Sequence, residues 1–342
     1  MYYYIESQNT DPQYNLALEQ WVFDRLDTRQ SYCMLWQNFN SVIVGKHQNT
    51  MAEINSAFVK EHNISVVRRL SGGGAVYHDL GNLNFTFIGD TGHNGPDFAA
   101  LCRPIQAALL SLGIPAEISG RNDITINGKK ISGNAMYVKK SRIMHHGTLL
   151  YDSNLEMLTN VLNLTNDKKL TNVQNDTNVT IESRGIKSVQ SRVTNIRPYM
   201  QKDMPVNDFW AALKAYIMSE FEMREYILSE TELAEADSIK EKIYSQWDWN
   251  YGASPAHNIR KTRRIENCGS IEVLLDVGKE GKLNNVHFYG DFFSTEDIAE
   301  LSDLLTGHKL EYNEIEAVIN DIEISKYFHN LDNKTFLSLL FE

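Results

Sequence analysis

The stretch that most constrains the backbone is residues 123–132, which read DITINGKKIS. Asn127-Gly128 is the dipeptide that most strongly favours a two-residue type I′ turn, so we expect a β-hairpin whose register the turn fixes. The predicted pairs are Ile126 with Lys129, Thr125 with Lys130, Ile124 with Ile131, and Asp123 with Ser132.

Strand alternation sorts this hairpin into two faces. The three isoleucines fall on one face, with Lys129 at its rim, and the polar residues fall on the other: Asp123, Thr125, Lys130 and Ser132. Because the apolar face belongs on a core, the polar face is predicted to look into a cleft, and Lys130 is the lysine that points there. An ammonium in this position could bridge a carboxylate and a phosphate. By spacing alone, however, neighbouring lysines after a turn are more often exposed residues that aid solubility.

A second segment, residues 68–87, reads RRLSGGGAVYHDLGNLNFTF. Three consecutive glycines after Ser71 cost backbone entropy, which a tight turn or a close approach of backbone N–H groups to a ligand would explain. Such N–H groups can form a nest for anionic oxygens, and Arg68 and Arg69 add positive charge beside it. The segment is neither a Walker P-loop, which needs GK[ST], nor a dinucleotide fingerprint, because a strand or turn follows. The alternative is a plain glycine turn beside two solvated arginines.

Two further segments carry basic groups. His145 and His146 open HHGTLLYD; on a strand they point to opposite faces and chelate a metal poorly, so we expect partly buried, hydrogen-bonded histidines. Residues 182–196 carry Arg184, Lys187 and Arg192, which form either a basic patch at a site or a solvated basic face.

The chain is predicted to divide into two units. Asp11-Pro12 should cap a helix, Ser31–Trp36 and Ser41–Gly45 should form a hairpin, and residues 97–112 and 208–228 should be helical. Residues 163–180 are rich in Asn, Thr and Asp and are expected to form a loop. Strands are expected at 269–277 and 283–290, and helices at 295–305, 312–322 and 334–341. The predicted domains are a mixed-sheet unit at 1–247, a linker at 248–256 and a small α+β unit at 257–342.

The bulk properties exclude some classes of function. A net charge of -11 argues against general binding to nucleic acid or to anionic membranes. No run approaches the ~20 apolar residues of a membrane span, and the start MYYYIESQNTDP lacks the features of a secretory signal. Cys33, Cys102 and Cys268 have no metal-type spacing, so they are expected to be small core residues in a reducing cytosol.

Taken in order, four segments resemble the motifs of the lipoate–protein ligase family: RRLSGGGAVYHDLGN, GRNDITINGKKISGNA, HHGTLLYD and GIKSVQSRVTNI. The resemblance begins with DPQYNLALEQ (11–20) and ends in the part that starts near WDWNYGASP (247–255), so it spans nearly the whole chain. It implies the α+β class, with a biotin/lipoate-ligase-type catalytic domain of mixed sheets and flanking helices, followed by a small α+β accessory domain.

The resemblance also implies an activity and its partners. ATP would activate lipoate as lipoyl-AMP with release of pyrophosphate, and the lipoyl group would then pass to a lysine of a carrier domain. The carriers would be lipoyl domains of 2-oxoacid dehydrogenase E2 subunits and the glycine-cleavage H protein. ATP and Mg²⁺ would serve as co-substrate and ion, with no tightly bound prosthetic group. We expect a cytoplasmic monomer with no nucleic-acid or membrane partner.

Carried over to this sequence, the family motifs assign individual residues. Lys130 would be catalytic and would contact both the acyl group and the nucleotide. The ATP-binding residues would be Lys130, Arg69, Gly74, Ala75, Val76 and Tyr77. The lipoate-binding residues would be Lys130, Arg69, Ser71, Gly72 and Gly73. Weaker candidates are Asn122, Asp123, His78, Asn82 and His146, with Asp123 also a candidate metal ligand. A loop at roughly 164–184 would fold over the adenylate.

Three other activities remain open at the level of sequence. An octanoyl- or lipoyl-transferase of the same fold would need an activated thiol near the acyl site, and no cysteine lies in a motif. A biotin ligase is disfavoured because its Gly-Arg-Gly-Arg type of loop is replaced by RRLSGGG. A non-catalytic lipoate or nucleotide sensor would bind without releasing pyrophosphate.

Overall fold

The computed structural model describes residues 1–91, 97–119, 122–162, 193–252, 259–278 and 281–341, without the side chains of residues 51 and 52. The strands are β1 (Tyr2–Glu6), β2 (Ser31–Trp36), β3 (Ser41–Val44), β4 (Ser65–Arg68), β5 (Val76–His78), β6 (Asn82–Asp90), β7 (Glu117–Ser119), β8 (Asp123–Ile126), β9 (Lys129–Lys139), β10 (Arg142–Leu150), β11 (Arg224–Glu225), β12 (Ile259–Ile265), β13 (Gly269–Val277) and β14 (Leu283–Gly290). The α-helices are α1 (Pro12–Arg25), α2 (Thr50–Glu53), α3 (Ser56–Glu61), α4 (Phe98–Ser111), α5 (Leu155–Val161), α6 (Val206–Glu220), α7 (Glu230–Ile239), α8 (Trp247–Asn250), α9 (Ile298–Leu305), α10 (Tyr312–Ile319) and α11 (Asn333–Phe341).

Two sheets build the larger unit. The main sheet is eight-stranded, in the order β11-β1-β2-β6-β10-β9-β8-β7. It is mixed, because β1 runs parallel to β2 and β11 whereas the other neighbouring pairs are antiparallel. A smaller sheet, in the order β4-β3-β5, carries the chain into and out of the glycine run. The predicted α+β class with a mixed sheet is confirmed.

The two faces of the main sheet differ in what covers them. Strand β6 shows why: Leu83 and Phe85 face a core that α4 and α6 complete, whereas Asn84 and Thr86 alternate onto the opposite face. That opposite face packs partly against α1, through residues such as Trp21. Buried polar side chains therefore lie between the main sheet and the smaller sheet, and this is where the site forms.

The C-terminal unit has its own core. Strands β12, β13 and β14 form an antiparallel sheet in that order, and α9, α10 and α11 supply the rest of the apolar cluster. The predicted strands β13 and β14 are confirmed, and the three predicted helices are confirmed with shifted ends. Helix α9 starts only after Asp297, whose side chain accepts a hydrogen bond from the Ala299 N–H. No described helix is long and apolar enough to cross a membrane.

Local signals predicted several elements of the larger unit. Asp11 caps α1 by accepting a hydrogen bond from the Gln13 N–H, as expected. Helix α4 ends before Gly113, whose φ is 77°. Helix α6 stops at Glu220, short of the predicted residue 228, because the chain turns at Glu222 (φ 47°) to pair as β11. The predicted loop at 163–180 lies outside the described residues.

The predicted hairpin of Ser31–Trp36 with Ser41–Gly45 is wrong. Both segments are strands, but β2 pairs with β1 and β6 whereas β3 pairs with β4 and β5. The connection between β2 and β3 is held by Asn38, which is buried and hydrogen-bonds to His78 and to Asn15. A polar turn between two apolar runs therefore joins two different sheets here.

We predict that Phe209→Ala lowers the free energy of unfolding by about 3–5 kcal/mol, because a large buried ring is lost and a cavity remains. Phe209 is fully buried and stacks on Tyr151 with ring centroids 4.3 Å apart. Urea unfolding would measure the change. The control is Phe39→Ala, where the side chain is 60% exposed and the expected change is within about 0.5 kcal/mol. Equal losses in both variants would contradict this view of the core.

Candidate active site

The hairpin of β8 and β9 turns as the sequence predicted. Asn127 and Gly128 have φ angles of 50° and 73°, the positive values that a type I′ turn requires. The first two predicted pairs, Ile126 with Lys129 and Thr125 with Lys130, are confirmed.

The next two predicted pairs are wrong because the register shifts. Ile131 is an extra residue on β9, so Ile124 faces Ser132 and Asp123 faces Gly133. Ser132 therefore lies on the core side of the hairpin, fully buried, and not on the polar face. The bulge leaves Asp123 and Lys130 on the same side, as predicted.

Lys130 lies along the sheet and not out in solvent. Its Nζ is 2.8 Å from Asp123 Oδ1, and its side chain is 35% exposed. A Cβ placed on Gly133 would come within 2.9 Å of Nζ, so the ammonium lies directly over that glycine. The Gly133 N–H donates to Thr148 Oγ1 (3.1 Å), which places Thr148 in the same group.

The ammonium and His146 share one face of the main sheet. His146 on β10 is paired with Ala135 on β9. Gly133 and Thr148 each lie two residues further along these strands, a distance of roughly 7 Å on the same face. Lys130 is therefore about one strand repeat away from the side chain of His146.

The glycine run, Ser71–Gly74, bends around the guanidinium of Arg69. Arg69 is buried, and its Nη2 donates to the carbonyls of Gly72 (2.7 Å) and Gly74 (2.9 Å). Its Nη1 donates to Ile43 (3.1 Å) and its Nε to Ser71 Oγ (3.0 Å). Burial lowers the pKa of Arg69 to about 10. The guanidinium thus uses three of its five N–H donors to shape the loop and a fourth to attach it to β3.

Arg68 fixes the other side of this turn. It is buried as well, and its Nη1 donates to the carbonyls of Gly45, Lys46 and Gln48. Its Nε donates to the carbonyl of Trp249 (2.9 Å). The alternative of two solvated arginines is therefore wrong: both hold backbone carbonyls.

Because the Gly72 and Gly74 carbonyls turn towards Arg69, backbone N–H groups of the loop can point away from it. Gly73 has a φ of 91°, and its N–H donates to the carbonyl of Phe292 from the C-terminal unit (3.3 Å). An oxygen thus already sits at this N–H group. One N–H group of the run thus donates to an oxygen atom, and a nest of several N–H groups for an anionic ligand stays a prediction.

Phe292 and Phe293 hold the C-terminal unit against the loop. The ring of Phe292 stacks on His47 with centroids 4.7 Å apart. The ring of Phe293 is fully buried and packs against Phe98 (5.0 Å) beside Ala135. An apolar cluster therefore adjoins the glycine run.

Ser71 connects the loop to the main sheet. Its Oγ lies 2.6 Å from His146 Nε2, and His146 Nδ1 lies 2.8 Å from Glu19 Oε1 on α1. All three side chains are buried. His145, on the opposite face, contacts Asn134 (3.1 Å), so both histidines are buried and hydrogen-bonded as expected.

Three buried polar atoms on this face have no hydrogen-bond partner among the described residues: His78 Nε2, Asn82 Oδ1 and Asn84 Nδ2. Leaving such atoms unpaired costs free energy, so they point to a polar ligand. Burial, reinforced by the charge of Arg69, lowers the pKa of His78 to about 3, which keeps the ring neutral. A neutral ring can accept or donate one hydrogen bond.

The other candidates have structural surroundings. Tyr77 is buried in the core of the smaller sheet and its hydroxyl donates to Asn40, so its side chain does not face His146. Ala75 and Val76 lead into that strand, half-buried. Asn122 pairs with Asn134 through mutual hydrogen bonds, which close the open end of the hairpin. Residues 164–184 and Arg184, Lys187 and Arg192 lie outside the described part.

The described residues contain no cluster of three or more His, Cys, Asp or Glu side chains that could hold a metal ion. Asp123, the candidate ligand, is paired with Lys130. A magnesium ion is usually held by one or two carboxylates together with substrate phosphates, so a fully formed protein site is not required.

Sequence reasoning missed Glu19, Asn84 and Thr148. Asn84 and Thr148 alternate with core residues of β6 and β10, so their face could have been inferred once the strands were paired. Glu19 had a weaker signal: with Asn15 it places two polar residues one helical turn apart in the mainly apolar segment of α1. Only the folded chain shows that Glu19 reaches His146.

Two family models match the chain. The Lipoyl protein ligase A/B catalytic domain matches residues 11–218, and the Bacterial lipoate protein ligase C-terminus matches residues 254–340. The chain is 42% identical to lipoate-protein ligase LplJ of Bacillus subtilis, with 99% of each chain covered. It is 38% identical to lipoate–protein ligase 1 of Staphylococcus aureus, with 98% of this chain and 99% of the relative covered.

Solved structures give the same comparison in three dimensions. Plasmodium falciparum LipL1 in complex with lipoate superposes with a TM-score of 0.77 at 25% identity, covering 99% of this chain and 97% of that one. A bipartite lipoate protein ligase of Thermoplasma acidophilum, studied with its E2 lipoyl domain, superposes with a TM-score of 0.61 at 25% identity. The match covers 75% of this chain and 98% of that one. Lipoate-protein ligase A bound with ATP superposes with a TM-score of 0.59 at 25% identity, and the match covers 73% of this chain and 98% of that one.

We predict that Gly73→Ala lowers the free energy of unfolding by about 1–2 kcal/mol, because left-handed backbone strains an L-residue. An added Cβ would also lie 3.0 Å from Arg69 Nη2 and 3.1 Å from the ring of Phe293. Gly74→Ala is the matched control, since a Cβ there meets no atom within 4 Å. Thermal unfolding of both variants measures the difference. Equal stability of the two would show that the loop is not constrained at Gly73.

Proposed function

The chain belongs to the lipoate–protein ligase family, and on that premise we propose that it activates lipoate as lipoyl-AMP and transfers the lipoyl group to a lysine of a carrier domain. The observation that carries the proposal is the position of Lys130. Its ammonium lies on the same sheet face as the Ser71–His146 contact and as the buried Asn84 Nδ2, which has no hydrogen-bond partner among the described residues. Charge and oxygen-binding groups are thus close enough to act on one small ligand.

The first step brings two anions together, so it needs positive charge. The lipoate carboxylate attacks the α-phosphate of ATP, a P–O bond forms, and pyrophosphate leaves with the electron pair of the broken bond. Lys130 stabilises the charge on phosphorus, and N–H groups of the glycine run hold phosphoryl oxygens once one of these oxygens replaces the Phe292 carbonyl at the Gly73 N–H. A magnesium ion would enter with the phosphates.

Arg69 contributes in a different way from the direct contact that the family motif implies. Its donors hold the Gly72 and Gly74 carbonyls, so it orients the loop. Its charge, buried beneath the loop, also favours an anion above it. The aliphatic chain of lipoate would lie against the apolar cluster of Phe98, Ala135 and Phe293.

The second step requires an amine. The Nζ of a carrier lysine attacks the carbonyl of the mixed anhydride, the C–N bond forms and AMP leaves with the electrons of the C–O bond. No protein nucleophile is needed. We propose as carriers the lipoyl domains of 2-oxoacid dehydrogenase E2 subunits and the glycine-cleavage H protein, with a monomeric enzyme in the cytoplasm.

A cysteine-dependent transferase is not supported. Cys33, Cys102 and Cys268 are buried, and no disulfide joins any two of them. Burial raises the pKa of Cys33, and it raises the pKa of Cys102 to about 12, so neither is poised as a thiolate. Acyl transfer through a protein thioester therefore has no suitable nucleophile at these two positions.

The function is tested by pyrophosphate release with ATP and each of lipoate, octanoate and biotin, followed by mass spectrometry of carrier domains. We expect lipoate to release pyrophosphate, biotin to give none above background, and the carrier to gain one lipoyl group on one lysine. Binding of lipoate without pyrophosphate release would identify a sensor instead. Carrier modification without ATP would favour a transferase.

We predict that Lys130→Ala reduces adenylate formation by about 10²-fold or more, because the cation next to the reacting phosphorus is lost. Lys129→Ala is the matched control: it removes the neighbouring ammonium, which is exposed beside the turn. The measurement is pyrophosphate release, with thermal unfolding as a check on folding. Equal losses in both variants would show that the face of β9 to which each lysine points does not decide its role.

A further inference from the structure

A chain of five buried side chains runs from Trp36 on β2, through Glu19 on α1, to the glycine run. Trp36 Nε1 donates to Thr86 Oγ1 (2.9 Å), and Thr86 Oγ1 donates to Glu19 Oε1 (2.6 Å). The same carboxylate oxygen lies 2.8 Å from His146 Nδ1, and His146 Nε2 lies 2.6 Å from Ser71 Oγ. The exposed fractions of Ser71, His146 and Glu19 are 1%, 6% and 2%. A serine, an imidazole and a carboxylate are thus in line, shielded from water.

The proton positions follow from the partners. The Glu19 carboxylate can only accept, so His146 Nδ1 carries the hydrogen that faces it and Nε2 is left as an acceptor. Ser71 Oγ already accepts a hydrogen bond from Arg69 Nε (3.0 Å), so its own hydrogen points to His146 Nε2. When Ser71 Oγ accepts a proton, it can therefore give its own proton to His146 Nε2. The Glu19 carboxylate then stabilises the imidazolium that forms.

We propose that Ser71, His146 and Glu19 form a proton relay for the transfer step, an inference that rests on the proposed function. Ser71 is the catalytic residue, and His146 and Glu19 act through it. As the lysine nitrogen bonds to the acyl carbon, Ser71 Oγ takes one N–H proton and passes its own to His146 Nε2. The C–O bond to phosphate breaks and AMP leaves with that electron pair, so a neutral amide remains. The imidazolium later returns its proton through Ser71 to the solvent.

The relay matches the second step and not the first. Formation of the adenylate joins a carboxylate to a phosphate and moves no proton from the nucleophile. Formation of the amide must remove a proton from nitrogen, and a positioned base typically speeds such a step by about 10²–10⁴-fold. The cationic groups would thus serve adenylation and the relay would serve transfer.

The position of Ser71 suits this role. It precedes the glycines whose Gly73 N–H already holds an oxygen, the carbonyl of Phe292. We take that oxygen to mark where a substrate oxygen is held once it replaces Phe292. Lys130 stands roughly 7 Å along the sheet face from His146, which leaves room for the mixed anhydride between them.

The experiment separates the two steps with the full-length enzyme and a carrier domain. Pyrophosphate release with ATP and lipoate reports adenylation, and single-turnover transfer from preformed lipoyl-AMP reports amide formation. For His146→Gln, Glu19→Gln and Ser71→Ala, we expect transfer to fall by about 10²-fold, which is at least about tenfold more than the loss in pyrophosphate release by the same variant. His145→Gln is the matched control, with the same change on the same strand but on the opposite face, and we expect normal transfer.

A pH profile distinguishes a relay from a packing role. The charged and titratable groups around His146 on its own face of the sheet are Glu19 of α1, Arg69 of the loop, His78 of β5 and Lys130 of β9, and His145 lies next to it on the opposite face. Because free base in solution replaces the relay at high pH, the loss in His146→Gln should shrink between about pH 7 and about pH 9.

Each outcome of this experiment supports or overturns the proton relay. Equal losses in both steps, or no loss in transfer, would overturn the relay. If His146→Gln fails to fold, Ser71→Ala provides the same measurement with only one oxygen removed. If the wild-type protein itself forms no adenylate from ATP and lipoate, the proposed function fails, and that result is distinct from a failure of the relay.

Discussion

The site depends on one buried cation. Arg69 gathers the carbonyls of Ile43, Gly72 and Gly74 and the hydroxyl of Ser71 around its planar guanidinium. A lysine could not replace it, because an ammonium has no rigid fork with five donors. The turned carbonyls leave N–H groups of the loop free to face the other way. The same residue also sets the direction of the Ser71 hydroxyl, so it connects the oxygen-binding loop with the proton relay.

The main sheet places the cation for the first step and the base for the second step at different positions on one face. Lys130 lies over Gly133 at one place, and His146 lies about one strand repeat away. Joining two anions needs positive charge, whereas forming an amide needs a base. The alternation of β6, β9 and β10 allows this face to be polar while the reverse face forms a core.

Local signals predicted what local forces determine. The Asn127-Gly128 turn, the Asp11 cap and the end of α4 at Gly113 depend on a few neighbouring residues, and all three formed as expected. The bulge at Ile131 and the placement of β2 and β3 in different sheets depend on pairing partners far along the chain, so sequence spacing did not show them. For the site, the direction of Lys130 followed from the turn. The role of Glu19 did not, because it arises from the contact between α1 and β10.

The last part of the larger unit holds its first part together. Strand β1 pairs with β11 at the edge of the main sheet, and Trp21 on α1 donates to Glu235 on α7. Arg68, beside the glycine run, is anchored on carbonyls that include Trp249 and on the side chain of Asn250. During synthesis from the N-terminus, these contacts form only after their later partners, residues 224–250, have left the ribosome, and those of Arg68 form last. Such distant pairings close large loops, which slows folding. The nascent chain therefore contains the whole sequence of the glycine run long before the contacts that fix the conformation of this run can form.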